Sequence, residues 1–139
     1  MNVSENINLA DEKNNEMQFV DKERIKELRG FAKINLLDTT INHPELSKEI
    51  HFTNKGVKEF LNQPHKLYYE KNELIKNIQH VIKNSDYKGV VNHKGKTSHI
   101  FEIEIRGEKS WIIANEYQGR GVTFYSISDS PKVLTGIKK

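Results

Sequence analysis

His65 stands in the stretch QPHK, just ahead of a long run with helical spacing. His93 and His99 flank the segment NHKGKTSH, and Lys109 and Trp111 open the stretch KSWIIANEY. Tyr125, Ser126 and Ser128 fall together in FYSIS near the end of the chain. Imidazoles exchange protons near neutral pH. Lysines and hydroxyls stabilise negative charge that develops on phosphate. Together they suit acid–base work at a phosphodiester without a metal. One group would take a 2′-hydroxyl proton, and another would protonate the departing 5′ oxygen.

Each residue also has a plainer role open to it. His65 can simply begin a helix, and His99 can be a core-edge histidine bonded to backbone. Trp111, Tyr68 and Tyr69 can be packing residues. Tyr125 opposes Phe124 in strand parity, so one faces the core and the other faces out. An outward tyrosine on an open sheet face is a natural ligand contact.

Other chemistries find less support. There is no cysteine, so no thiolate nucleophile and no disulfide. The stretch GVKEFLNQP has neither the glycines nor the GK[ST] of a phosphate loop, and there is no HExxH pair. His93 and His99 lack a third histidine or a carboxylate at ligand spacing, so neither a metal site nor a cofactor is expected.

Charge points to an anionic partner. Residues 1–50 carry 7 Lys+Arg against 10 Asp+Glu, and residues 51–139 carry 15 against 9, so the halves bear −3 and +6. A basic body behind an acidic leader fits nucleic acid. No stretch reaches the roughly 20 apolar residues of a membrane span, and residues 1–18 lack the basic and apolar regions of a secretory signal. A cytoplasmic setting with no membrane contact is therefore expected.

The elements that must position these residues follow from periodicity. Residues 1–20 are polar and read as a disordered acidic leader, either a linker from a longer polyprotein or a cover for the basic cleft. Residues 21–139 read as one α+β domain. From Asp21, a plausible N-cap, the residues Ile25, Leu28, Phe31, Ala32 and Leu36 recur at helical spacing. DTTINHPEL reads as a turn-rich connection, and SKEIHFTN as a short strand with Ile50 and Phe52 on one side. Thr53 or Asn54 caps a helix that turns Val57, Phe60 and Leu61 inward. Leu67, Leu74, Ile75, Ile78, Val81 and Ile82 predict the longest helix, stopped by Asn84 and Ser85. Beyond Asp86 the period changes to 2. DYKGVVNH, SHIFEIEI, KSWIIANEY and VTFYSIS are four strands, with turns at Arg106–Gly107 and QGRG. The expected architecture is N-terminal helices packed on a four-stranded antiparallel β-meander. A monomer is expected, with the edges of the meander as the route to a dimer.

The run FTNKGVKEF…QPH, the strand-opening SH of SHIFEIEI and the closing FYSIS carry a resemblance over residues 45–130. The chain resembles the barnase–EndoU–colicin–RelE-like nuclease superfamily, in the subgroup found in large polyvalent proteins of phages and conjugative elements. The resemblance implies metal-independent RNA cleavage, often as a toxin or effector. RNA, tRNA included, would be the substrate, and an immunity or inhibitor protein a candidate partner. Residue by residue it points to His65, His99, Tyr125, Ser126 and Ser128 as catalytic. His99 or His65 would be the base, with the other histidine or Tyr125 as the acid. Lys58, Lys109 and Arg120 are the expected substrate-binding cations. The alternative is a non-catalytic nucleic-acid- or protein-binding module of a mobile genetic element, in which the histidines are scattered and buried.

Overall fold

A computed structural model describes residues 22–117 and 121–139. The leader and Asp21 lie outside the described residues, as does Arg120 in the QGRG turn.

The expected alternation builds the sheet. Strands β3 (Asp86–His93), β4 (Lys96–Ile105), β5 (Glu108–Tyr117) and β6 (Val122–Ser128) are antiparallel neighbours in sequence order. The β4–β5 connection is tight because Arg106 and Gly107 both take positive φ, 51° and 80°, the backbone of a two-residue hairpin turn. The four-stranded meander is nevertheless only part of the sheet. Two three-residue strands, β1 (Thr40–Asn42) and β2 (Glu49–His51), extend it to six strands in the order β1-β2-β6-β5-β4-β3. The β2–β6 pair is parallel, so the sheet is mixed. Three residues are too few for a period-2 signal, which is why β1 reads as a turn in the sequence.

One sheet face is covered by helices. α1 spans 22–35 and buries Leu28, Ala32 and, just beyond it, Leu36. α2 (Asn54–Asn62) is capped by Thr53, whose hydroxyl accepts from the Gly56 N–H at 3.1 Å. It buries Val57, Phe60 and Leu61 against β6. The longest expected helix is instead three pieces: α3 (Tyr68–Glu73), a 3₁₀ turn (Leu74–Asn77) and α4 (Ile78–Lys83). Asn77 leaves helical geometry at φ −131°. The apolar stripe survives the break, with Ile75, Ile78 and Ile82 all buried.

The other face carries residues of opposite parity. Trp111 is buried but lies outside the core cluster of that helix layer, and its indole N–H donates to Glu102 at 3.0 Å. After β6 the chain makes a 3₁₀ turn (Pro131–Leu134) against β5 and returns to the far edge, where Lys138 and Val90 exchange backbone hydrogen bonds. Among the described residues no helix is long and apolar enough to cross a membrane.

Candidate functional site

His99 faces the helix layer from β4, paired across to Ala114 on β5 and Val90 on β3. It is 5% exposed. Its Nε2 lies 2.8 Å from Glu116 Oε1 and its Nδ1 2.9 Å from the Tyr87 hydroxyl. The other Glu116 oxygen pairs with Lys48. Glu116, a carboxylate, accepts, so Nε2 carries the proton. Lys48 and then His99 hold the Glu116 carboxyl below its ordinary pKa, while burial, with Glu116 and Glu45 nearby, pushes the Tyr87 phenol up. This chain of four side chains ties β3, β4 and β5 to the approach to β2. Both His99 nitrogens are engaged by it.

His65 is equally committed. Its Nδ1 accepts from the Leu67 N–H at 2.8 Å, leaving Nε2 to bond the buried Ser110 hydroxyl at 2.8 Å. Burial lowers its pKa, with Asp129 acting in the opposite sense. Ser110 and Ala114, the β5 contacts of the two histidines, are four residues apart, about 13 Å along a strand. The structure does not bring His65 and His99 to one phosphate, since each proton donor or base must come within about 3 Å of its target.

Tyr125 does border a cleft. Ile113 pairs with Ser126 and Ala114 with Phe124, so Tyr125 is the extra residue of a β-bulge. Bulges re-aim side chains. Tyr125 is half-buried, and burial raises its pKa, helped by Glu59 and Tyr117. With Lys55, Gly56, Asn115, Tyr117 and Thr123 it lines an open cleft of about 360 Å³ at the start of α2, within the size range of small-ligand sites. Asn115 is 2% exposed; its carbonyl oxygen accepts from Ser98 at 2.9 Å, and its amide nitrogen has no partner among the described residues.

A second groove of about 510 Å³ is lined by Lys26, Arg29 and Lys33 of α1 and by Asn54. These cations share one helix stripe, and all three are exposed. Asn54 borders this groove and its neighbour in the chain, Lys55, borders the tyrosine cleft.

The remaining expected residues are dispersed. Ser126 is buried, and the Ser128 hydroxyl accepts from the Ser130 N–H at the end of β6. Lys58 is exposed on α2, while Lys109 lies 3.8 Å from Glu102 at the other end of β5. The sequence reading missed Lys55, Asn115 and the α1 cations. It also missed Lys71, which is fully buried with its ammonium 2.8 Å and 3.2 Å from the Phe60 and Leu61 carbonyls. Burial pushes its pKa down to about 7. Lys71 falls on the apolar stripe, four residues after Leu67 and four before Ile75, and that placement was the available signal. Among the described residues no three His, Cys, Asp or Glu side chains group as a metal ligand set.

The molecule is thus an α+β domain with a mixed sheet and a tyrosine-lined cleft beside a basic helix. The model of the family described as large polyvalent protein-associated domain 3 matches residues 20–125. The chain belongs to that family, in accord with the polyvalent-protein part of the resemblance. No curated protein and no solved structure matches it.

Proposed function

We propose that the chain is an RNA-directed domain of the metal-independent ribonuclease type, with the strand passing from the α1 groove into the tyrosine cleft. The observation that supports this reading is that consecutive residues of α2 border both sites, Asn54 a groove with three cations and Lys55 a cleft with two tyrosines. Cations would track the backbone and tyrosine rings would stack on bases, the usual division in single-strand binding. The nuclease resemblance favours cleavage, and a toxin or effector role with an inhibitor partner belongs to the same proposal.

A second reading, a module that binds RNA without cutting it, draws support from His65 and His99, whose ring nitrogens are all engaged. Incubation with total tRNA and mixed-sequence RNA in EDTA separates the two. Products ending in a 2′,3′-cyclic phosphate would uphold the ribonuclease reading. Binding without products would leave the module, and neither binding nor products would remove RNA as the partner.

A further inference from the structure

The parallel register sets His51 of β2 beside Thr123 of β6. Their neighbours Ile50 and Val122 are both fully buried, so His51 and Thr123 share the opposite sheet face. Asn115 of β5 pairs with Thr123. His51, Thr123 and Asn115 therefore form a row across three strands, and the last two line the tyrosine cleft.

The imidazole reaches the mouth of that cleft. Its Cδ2 and Nε2 lie 3.3 and 3.4 Å from the place where a Cβ on Gly121 would sit, and Gly121 lines the cleft. With glycine there, the ring rests close against the backbone at the rim. His43, His65 and His99 have both ring nitrogens held by protein groups. His51 is exposed and has no hydrogen-bond or ion-pair partner among the described residues.

We infer that His51 is the general base of this cleft, acting on the 2′-hydroxyl of an RNA strand; the inference rests on the ribonuclease reading above. The His51 imidazole takes the 2′ proton, and O2′ forms a bond to phosphorus as the bond from phosphorus to O5′ breaks. The Tyr125 hydroxyl gives its proton to O5′. The products are a 2′,3′-cyclic phosphate and a 5′-hydroxyl, and solvent carries the proton from the imidazolium back to the tyrosinate. The Lys55 ammonium and the free Asn115 amide N–H groups are the donors for the phosphoryl oxygens, a contribution that counts most where charge develops.

The test compares wild type with His51→Ala on mixed-sequence RNA in EDTA. Folding is checked by thermal melting and RNA affinity by fluorescence anisotropy. The expected result is a loss of cleavage of about 100-fold or more, with affinity unchanged and the rate recovered on adding free imidazole. A folded variant that cuts at the wild-type rate overturns the role of His51 and leaves the ribonuclease reading standing. Loss of affinity together with cleavage, and no rescue by imidazole, also overturns it, because His51 would then be a binding residue. Wild type that cuts no RNA overturns both. If the alanine variant does not fold, His51→Gln is read by the same criteria of rate and affinity.

Discussion

His99 Nε2 stands 2.8 Å from Glu116 Oε1, across neighbouring strands, in a place that is almost closed to solvent. The Tyr87 ring stacks beside the imidazole with centroids 6.0 Å apart. The far carboxylate oxygen meets Lys48, whose side chain is the exposed end of the chain of contacts. A proton on His99 is therefore shared with the sheet's own frame and not with a group that a substrate can reach.

Removing that imidazole should act on stability. His99→Ala leaves the Tyr87 hydroxyl and one Glu116 oxygen without their partner in a buried setting. The expected loss is about 2–3 kcal/mol, since an orphaned buried polar group costs about 1–3 kcal/mol. Urea denaturation measures it. If the domain cuts RNA, the folded variant should still do so. A fully stable His99→Ala with no cleavage would return His99 to the chemistry.

Lys71 should give stability an unusual pH dependence. Its folded pKa is lowered to about 7 from 10.5. Between those values the unfolded chain holds more protons than the folded one, so unfolding free energy rises with pH. The slope is at most about 1.4 kcal/mol per pH unit. The Phe60 and Leu61 carbonyls favour the ammonium and moderate it. Urea midpoints for wild type and Lys71→Met, taken from pH 7 to pH 9.5, isolate the effect. The wild-type midpoint should rise with pH relative to that of Lys71→Met; parallel midpoints would mean that the carbonyls keep the lysine protonated.

The long strands and most core positions were legible because they repeat. β3 to β6 each run for seven residues or more, enough for alternation to declare itself. β1 and β2 have three residues each, and their place in the sheet depends on a parallel partner more than 70 positions away in the chain. The site was harder to read for the same reason. The parity of His99 was visible, but its partners Tyr87, Glu116 and Lys48 come together only through cross-strand register. The outward parity of His51 was equally visible between inward Ile50 and Phe52. Its nearness to Gly121 was not, because the β2–β6 pairing creates it.

The cations of α1 should govern RNA affinity. Replacing Lys26, Arg29 and Lys33 by glutamine removes three positive charges that have no ion-pair partner among the described residues. RNA affinity should fall uniformly across sequences. The dependence of affinity on salt should flatten by about 0.7 per lost phosphate contact. Anisotropy titrations at several salt concentrations read both. Unchanged affinity and slope would take the RNA path off α1.

Gly56 should prove the tightest joint between the helices and the sheet. A Cβ there would fall 1.9 Å from the Phe124 carbonyl oxygen and 3.0 Å from its carbon, both backbone atoms that cannot swing aside. Gly56→Ala must lift α2 off β6. It would also disturb Phe124, whose ring packs on Phe52 and Phe60 with centroids 5.1 Å away in each case. The expected cost is about 2–3 kcal/mol, in the range for overpacked cores. The cleft should change with it, because Gly56 and Lys55 form one of its walls. Gly30→Ala is the matched control. Gly30 lies within α1 with nothing inside 4 Å of an added Cβ, so the same change should stabilise by about 0.5–1 kcal/mol. Thermal melts of the two variants should therefore move in opposite directions. A Gly56→Ala protein as stable as wild type would mean that α2 does not press on β6 at Phe124, and the cleft would lose the wall that places Lys55.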